Sequence, residues 1–372
     1  MKIAIVGPIY PFRGGIAQFA AQLAEEISQH HEVFCLNFKK QYPNLIFPGK
    51  TQFDKSRDYI DIKSKRLLTP YNPFTFSIST SALIEFKPDL VIFNYWVPIT
   101  SLAYNYISKQ LKKKMNTKII TICHNLQSHE KWFFATKLQK TALNFSDEIV
   151  TLSSSVAQEA KKKFPGKKVL FGFHPAYSFY SKGKYTRREA RKELGFRNNE
   201  KIILFFGYVK PYKGLDLLLK AFKFLHDKQQ SVHLLIVGEV YGDAKQYEKI
   251  IQDEKIEDKV TFLQKFVTNE NVEKYFKAAD VLALPYLSAT QSGVAQIAFT
   301  MGLGVVVTPV GGLPEIVKND KIGRVSKSMK PQDFAEALYT FLQTDREEIT
   351  KYTLVESSKY TWKEFIKLLK IC

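Results

Sequence analysis

Two kinds of segment alternate along the chain. Short apolar runs end in turn residues, and amphipathic segments with apolar residues at helical spacing follow them. After the first run and Gly7, for example, Ile16, Phe19, Leu23 and Ile27 fall on one helical face. Strands that alternate with helices predict a parallel sheet covered on both faces. The predicted strands of the first half are KIAIV, HEVFCLNF, DLVIFNYW, KIITICH and DEIVTLS.

The alternation starts again after the segment FGFHPAYSFY. A second set of predicted strands follows: KIILFFG, HLLIVG, VTFLQ, DVLALP and GVVVTP. A chain of 372 residues is long for a single core. We therefore predict an α/β protein with two Rossmann-like, doubly wound domains, residues 1–175 and 176–356, that face a cleft between them. Residues 70–77 (PYNPFTFS) are predicted to form either a loop at that cleft or the start of a helix.

The chain carries a net charge of +19, and residues 1–175 account for +12 of it. A basic surface can bind nucleic acid, anionic lipid or an acidic substrate, or it can simply be solvated. No finger spacing or aromatic RNA-binding motif accompanies the charge, so we expect no nucleic-acid partner. Contact with an anionic membrane through the first domain and plain surface charge both remain open.

The sequence predicts a cytoplasmic protein, located at the inner face of the plasma membrane if the basic half binds lipid. The apolar runs are strand-sized, and the first one ends in Gly-Pro without a cleavage site for a signal peptidase. Three isolated cysteines, Cys35, Cys123 and Cys372, lack metal-ligand spacing and are expected to be reduced structural thiols.

The first candidate site is Arg13-Gly14-Gly15, between the first predicted strand and helix. Paired glycines let a ligand approach the backbone, and the amides at a helix start favour an anion. A plain tight turn is the alternative. The third glycine of a dinucleotide fingerprint is missing.

The second candidate site is residues 207–214 (GYVKPYKG), which connect an apolar strand to an amphipathic helix. Lys210 and Lys213 could neutralise a leaving diphosphate there without a metal, since no Asp-x-Asp occurs in the chain. Solvated loop lysines are the alternative. The glycines that end two predicted strands, Gly207 and Gly238, are assigned to the same donor-binding site.

The third candidate site is residues 288–296 (SATQSGVAQ) together with the VGGLPEIV segment. Hydroxyl and amide side chains suit sugar hydroxyls, and a glycine permits close backbone contact. A simple helix cap at Ser292 is the alternative, and Glu315 could act only on a helix dipole. The predicted donor-binding residues of this region are Thr290, Gln291, Ser292, Gly293, Val294 and Glu315.

The fourth candidate site follows the predicted strand KIITICH. His124 is predicted to hydrogen-bond the transferred sugar, while His129 and Glu130 are given a structural polar role because no further metal ligands stand nearby. Asn94 and Trp96 end another strand at the same edge and are predicted to line an acceptor groove, with core packing as the alternative for the ring.

These residues together resemble a retaining glycosyltransferase of family 4 with the GT-B fold. The resemblance covers nearly the whole chain and is carried by segments in a fixed order: RGGIAQF, CHN, FHPAY, TRREARKELGF, GYVKPYKGLDLLLKAF, ADVLALPYLSATQSGV, GGLPEIV and YTWKEF. It implies transfer of a sugar from a nucleotide donor. It also implies that residues 357–372 form a helix that crosses back to the first domain.

The resemblance assigns roles residue by residue. Gly14 and Gly15 match the family's Gly-Gly loop, His124 matches its histidine at the transferred sugar, and Lys213 matches its lysine on the diphosphate. The usual arginine after the strand glycine is replaced by Tyr208, with Lys210 as the stand-in. Two glutamates that many members carry are also absent here, from residues 290–298.

The expected function is therefore metal-independent transfer of a hexose, with retention, from a UDP- or GDP-sugar to a glycan or lipid-linked acceptor in surface polysaccharide or glycolipid assembly. No cofactor is expected beyond the nucleotide-sugar substrate. The missing glutamates leave two alternatives open: a catalytically silent nucleotide-sugar or glycan-binding homologue, and a nucleotide-sugar epimerase. For the glycosyltransferase we expect His124, Lys210 and Lys213 to be the catalytic candidates, and Arg13, Asn94 and Trp96 to be the acceptor-side residues.

Overall fold

The computed structural model describes residues 1–43, 49, 51–126, 138 and 143–371. They form two compact units. The first comprises Met1–Lys55, Tyr59–Phe173 and Trp362–Cys372, and the second comprises Ser56–Asp58 and His174–Thr361. The predicted residues His129, Glu130 and Cys372 lie outside the described residues. Within the described ranges, none of the helices is both long and apolar enough to cross a membrane.

The first unit is built on a seven-stranded, wholly parallel sheet in the order β3-β2-β1-β4-β5-β6-β7. Its strands are β1 (Lys2–Val6), β2 (Glu32–Phe38), β3 (Ser64–Leu68), β4 (Leu90–Tyr95), β5 (Lys118–Cys123), β6 (Glu148–Thr151) and β7 (Lys168–Phe171). Its described helices are α1 (Gly15–Ser28), α2 (Phe74–Phe86), α3 (Ser101–Lys114) and α4 (Ser154–Lys163), together with the later α12 (Trp362–Leu368).

The second unit holds a six-stranded parallel sheet in the order β10-β9-β8-β11-β12-β13. Its strands are β8 (Lys201–Phe206), β9 (Val232–Val237), β10 (Val260–Leu263), β11 (Val281–Leu284), β12 (Gly304–Val307) and β13 (Gly323–Val325). Its helices are α5 (Arg187–Leu194), α6 (Leu215–Lys228), α7 (Lys245–Asp253), α8 (Asn269–Ala278), α9 (Gly293–Thr300), α10 (Pro331–Leu342) and α11 (Arg346–Ser357).

Both sheets have the strand order of a doubly wound α/β fold. The central strand, β1 or β8, is flanked by strands reached in opposite directions, so each sheet has one point where the order reverses. This reversal lies between β1 and β4 in the first unit and between β8 and β11 in the second. Ligands of such sheets bind beyond the carboxyl ends of the strands at this point. The predicted two-domain Rossmann-like fold is confirmed.

The apolar runs form strands because both faces of each sheet are covered. All residues of β4, for example, are buried, which is possible only where helices pack on either side. The predicted helix start within residues 70–77 is also present, since α2 begins at Phe74. Three strands were not predicted: β3, β7 and β13. Each is short and lies at the edge of its sheet, and β3 and β7 carry exposed residues.

The last described helix, α12, belongs to the first unit. Trp362 packs its ring edge-on against Phe19 of α1 at a centroid distance of 5.0 Å, and its indole Nε1 donates to the side-chain oxygen of Gln22 at 3.2 Å. Phe365 also contacts Phe19, with ring centroids 5.7 Å apart. Burial of these rings stabilises the return of the chain to the first unit.

Candidate functional site

The second unit gathers several predicted donor-binding residues where its strand order reverses. Gly207 directly follows β8 and has a φ of +107°, a conformation that favours glycine. A Cβ atom at this position would lie 3.6 Å from Nζ of Lys213 and 3.9 Å from a methyl carbon of Val294. The end of β8, the lysine turn and the start of α9 therefore converge at one place.

Lys213 is held in this place by neighbouring loops. It ends the short 3₁₀ turn Pro211–Lys213, and the next residue, Gly214, adopts a left-handed conformation in which a Cβ would lie 2.0 Å from the carbonyl oxygen of Pro285. The backbone N–H of Leu287 donates to the carbonyl of Tyr212 at 2.8 Å. The loop after β11 thus fixes the turn after β8.

The ammonium of Lys213 is a part-buried positive charge. Its Nζ donates to the phenol oxygen of Tyr286 at 3.0 Å and lies 4.8 Å from the centre of that ring. Burial lowers the pKa of this amine, but interactions with Tyr286 and Tyr212 raise it more, so the pKa lies above its ordinary value and the amine is charged at neutral pH. In the part of the chain that the structure describes, no carboxylate forms an ion pair with it. Such a cation is suited to an anionic ligand.

Lys210 stands at the beginning of the same turn and points to an aromatic cluster. Its Nζ lies 4.9 Å from the ring centre of Tyr241, whose ring is 4.9 Å from that of Tyr208. Tyr208 occupies the position where the family usually has an arginine. Lys210 therefore lies in the predicted loop and contacts an aromatic ring. Its action on a diphosphate remains a prediction.

The SATQSG segment leads into α9 with unpaired polar side chains. Ser292 occupies the cap position of α9, but its side chain makes no capping hydrogen bond. Its buried Oγ and the buried side-chain oxygen of Gln291 have no hydrogen-bond partner among the described protein atoms. Unpaired buried acceptors are costly, so a ligand that donates hydrogen bonds would stabilise this segment. The simple helix cap considered from the sequence is not formed by this side chain.

The GGLPE segment packs against the SATQSG segment. Gly311 has a φ of +53°, and a Cβ there would lie much too close to the carbonyl oxygen of Ala289 for the backbones to keep their positions. Thr290 is part-buried beside this contact, and Glu315 lies in the 3₁₀ turn Pro314–Ile316 that follows. The two segments predicted to bind the donor are therefore neighbours.

Gly238 has a packing role that the sequence did not reveal. A Cβ at this position would overlap the carbonyl oxygen of Gly207, so the absence of a side chain at Gly238 lets the ends of β8 and β9 approach each other. Contact of Gly238 with a donor remains a prediction.

Two residues near α9 were missed by the sequence analysis. Gln296 lies one helical turn after Ser292, is buried, and has a side-chain oxygen without a hydrogen-bond partner within the described chain. The second residue is His174, which lies beside Gly293 at the start of α9. Its Nε2 would be 3.2 Å from a Cβ at Gly293. Burial lowers the pKa of His174 to about 4, so its ring is neutral at pH 7. The sequence did contain a signal for Gln296, since residues four apart in a helix share one face and Gln296 follows Ser292 by four.

The first unit places the Gly-Gly loop at the start of α1. Gly14 has a φ of +109°, and the backbone N–H of Arg13 before it donates to the carbonyl of Gln52 at 3.1 Å. Gly15 is exposed, and its φ is not positive. A Cβ at Gly15 would meet no atom of the described chain within 4 Å. Among the described residues, the position can therefore accept a side chain sterically.

His124 and Asn94 form a buried pair at the carboxyl ends of β5 and β4. The Nε2 of His124 lies 3.0 Å from the side-chain oxygen of Asn94. Because that oxygen can only accept, Nε2 donates, and in the neutral ring Nδ1 is the acceptor. Phe19 packs edge-on against the imidazole at 4.7 Å. The ring is therefore oriented from two sides.

The side chain of Asn94 is fully buried and lies against Gly7 at the end of β1. This position makes it a support for His124, and contact with an acceptor remains a prediction. Trp96 is part-buried, packs edge-on against Phe38 at 5.7 Å and donates from Nε1 to the hydroxyl of Tyr42 at 3.0 Å. Core packing therefore describes the ring of Trp96 as placed here.

Two family models match the chain. The model described as Glycosyltransferase Family 4 matches residues 13–171, and the one described as Glycosyl transferases group 1 matches residues 186–354. The first match lies within the range of the first unit except for residues 56–58, and the second lies within the second unit. Together they include Gly14, His124, Lys213 and the SATQSG segment, whereas His174 lies between them.

The chain is also similar to individual proteins. The D-inositol 3-phosphate glycosyltransferase of Mycobacteroides abscessus is 30% identical over 46% of this chain, and the match spans only 39% of that relative. Spore coat protein SA of Bacillus subtilis is 26% identical over 97% of this chain and 96% of its own length. Among solved structures, Anabaena Alr3699/HepE in complex with UDP-glucose has a TM-score of 0.75 at 15% identity. The match covers 100% of this chain and 98% of that chain.

Proposed function

The chain belongs to the family 4 type of glycosyltransferases, and from this premise we propose that it transfers a hexose from a UDP- or GDP-sugar to a glycan or lipid-linked acceptor. The bond between the anomeric carbon and the diphosphate breaks, and the acceptor hydroxyl forms the new bond with retention of configuration. The diphosphate leaves with the bonding electrons, and the proton of the hydroxyl passes to it. A nucleotide-sugar donor is supported by the UDP-glucose complex of the structurally similar Anabaena protein.

The observation that carries this proposal is the position of Lys213. Its charged amine lies beside Gly207, the start of α9 and the point where the strand order reverses. The leaving diphosphate gains negative charge in the transition state, and a fixed ammonium lowers the energy of that charge. The backbone amides at the start of α9 are suited to the same anion. Because the chain contains no Asp-x-Asp, we propose that these groups act without a metal.

The unpaired side chains before and within α9 support recognition of the donor's sugar or ribose. The buried oxygens of Gln291, Ser292 and Gln296 are acceptors, and the hydroxyls of a sugar are donors. They occupy the region where many family members carry two glutamates. This substitution is consistent with a changed mode of donor recognition.

In the first unit, His124 is the residue we propose for contact with the transferred sugar, oriented by Asn94. The Gly14-Gly15 backbone is proposed for contact with donor phosphates and acceptor, because it lies at the start of α1, where backbone amides favour an anion. We further propose that the acceptor belongs to surface polysaccharide or glycolipid assembly and that the protein works in the cytoplasm at the plasma membrane.

The test is a product assay with radiolabelled UDP- and GDP-hexoses, with and without lipid extract or oligosaccharide as acceptor. We expect release of nucleoside diphosphate and labelled product with the wild-type chain, and loss of both with Lys213→Met. Nucleotide binding without release of the sugar would indicate the silent binder. Conversion of the donor to an isomeric nucleotide sugar without acceptor would indicate the epimerase.

A further inference from the structure

Two adjacent helices of the first unit, α2 and α3, expose bulky apolar side chains. The helices pack against each other, and Phe76 of α2 contacts the ring of Tyr106 of α3 at 5.9 Å. The outer faces beside this contact carry large apolar residues with the following exposed fractions: Phe74 85%, Ile78 57%, Leu102 51% and Tyr106 39%. Contiguous exposed apolar side chains of this size mark interaction sites.

The spacing of these residues places them on continuous faces. Phe74 and Ile78 are four residues apart on α2, and Leu102 and Tyr106 are four residues apart on α3. Both pairs lie in the first half of their helix. The apolar surface is therefore concentrated at the N-terminal ends of the two helices.

These ends lie at the edge of the sheet where the candidate site lies. The helix α2 leads into the start of β4, and α3 leads from the end of β4 to the start of β5. Because the strands are parallel, both helices run opposite to them and begin beside the carboxyl ends. Asn94 in β4 and His124 after β5 stand at those same ends. The exposed apolar surface and the His124 site therefore share one edge of the first unit.

The outer face of α3 continues into positive charge. Lys109 and Lys113 follow Tyr106 by three and seven residues, are exposed, and share its face. The α3 sequence contains four lysines and no acidic residue. On α2, the one charged residue is Glu85, in its last turn. Apolar residues at one end of a surface and lysines further along suit a bilayer, in which apolar side chains enter the interface and lysines reach the headgroups.

We propose that this helix-pair surface, formed by Phe74, Ile78, Leu102, Tyr106, Lys109 and Lys113, docks the protein on an anionic phospholipid bilayer. A lipid-linked acceptor would then meet the edge of the sheet that carries His124. Docking on the bilayer does not depend on the proposed function, whereas delivery of a lipid-linked acceptor to His124 rests on it.

The charge of the surface favours a bilayer over a second copy of the chain. A symmetric dimer brings the same patch of both copies together, so the lysines of α3 would face lysines. An anionic bilayer attracts the same lysines, and the net charge of +12 in residues 1–175 adds to that attraction.

The experiment measures sedimentation of the full chain with vesicles of phosphatidylcholine, alone or mixed with phosphatidylglycerol in equal amounts. We expect binding to the mixed vesicles, weaker binding at high salt, and roughly tenfold weaker binding of the double variant Phe74→Ser/Ile78→Ser. The variant Lys109→Gln/Lys113→Gln is expected to lose most of its preference for the anionic vesicles. The matched control is Phe224→Ser/Leu354→Ser, which removes two side chains, each 45% exposed, from the second unit and should bind as the wild type does.

Melting temperatures establish that each variant is folded before its binding is interpreted. Equal vesicle binding by the wild type and Phe74→Ser/Ile78→Ser would overturn the proposal, as would equal loss in the control variant. The proposal would also be overturned if light scattering showed that the wild type is a dimer and that Phe74→Ser/Ile78→Ser is a monomer. That result would assign the surface to contact with a second copy of the chain.

Donor cleavage without vesicles separates this inference from the proposed function. We expect the α2 variant to retain the wild-type rate in solution while losing vesicle binding. Vesicle binding that depends on this surface, together with no donor cleavage by the wild type, would contradict the proposed function alone.

Discussion

The amine of Lys213 donates to the hydroxyl of Tyr286 at 3.0 Å, across two loops that follow neighbouring strands of one sheet. This contact fixes a charged side chain beside Gly207, although the two residues lie 73 positions apart in the sequence. A fixed cation at the reversal of strand order is the basis for the first prediction.

Lys213→Met should lower turnover by roughly a hundredfold, because the developing charge on the diphosphate loses its ammonium partner. The melting temperature should stay close to that of the wild type, since the methionine stem keeps the packing. Steady-state kinetics with the accepted nucleotide sugar checks the effect, and Lys220→Met on the exposed side of α6 is the control. Turnover equal to that of the wild type would remove Lys213 from the mechanism.

Gly15→Ala should fold normally and yet lose activity. An alanine Cβ there meets no described atom within 4 Å, and alanine favours a helix over glycine by about 1 kcal/mol. Lost activity can then be attributed to a ligand that approaches this backbone. Thermal melting and donor cleavage are measured together, and a fully active alanine variant would argue against such an approach.

Gly214→Ala serves as the contrasting case. Its Cβ would lie 2.0 Å from the carbonyl oxygen of Pro285, at a φ of +65°. We expect a clear fall in melting temperature together with the loss of activity, because the lysine turn must move.

His124 and Asn94 should behave as one functional unit. Asn94→Leu removes the oxygen that accepts from Nε2, so the imidazole loses its fixed orientation. We expect the rates of His124→Ala and of the double variant to be nearly equal, because the second change removes what is already lost. A double-mutant cycle on donor cleavage measures this coupling, and additive effects would separate the two residues.

Gln296→Met should raise the KM for the donor about tenfold without lowering stability. The side-chain oxygen of Gln296 is buried without a partner in the described chain, so an apolar side chain of similar size removes an unfavourable group from the free protein. Urea unfolding and donor kinetics check the two halves of this prediction. Reduced stability together with an unchanged KM would assign the amide a structural role.

His174 should make the protein less stable in acid. Its pKa is about 4 in the folded protein because of burial, against 6.5 for an ordinary histidine. As the pH falls through 6.5, the unfolded chain binds a proton that the folded protein does not bind until about pH 4. Stability is therefore lost as the pH falls across this window, by roughly 3 kcal/mol in all. Urea midpoints of the wild type and His174→Gln from neutral pH to about pH 4.5 measure this. The variant should show a flatter decline, and parallel curves would contradict the assignment.

Most of the strands that the sequence predicted are largely buried, such as β1, β4 and β8. Their apolar runs are visible locally because every position must be buried. The edge strands β3, β7 and β13 were missed, whereas the edge strand β10 was predicted from its run VTFL. A strand bonded on one side can keep exposed and charged residues. The sequence SKRLL of β3 shows this. What makes such a segment a strand is its partner, and that partner is remote in the chain.

The sequence by itself determined the two sets of strands and helices, the glycine turns and the chemical types of the candidate residues, because these depend on local burial and backbone conformation. Only the tertiary structure decided that Lys213 meets Tyr286, that Asn94 orients His124, and that Gln296 keeps a buried oxygen unpaired. These relationships arise where strands and loops distant in sequence are brought together by sheet pairing and helix packing. Hydrophobic periodicity carries no information about such contacts, because it records which side of an element is buried and not which residue it meets there.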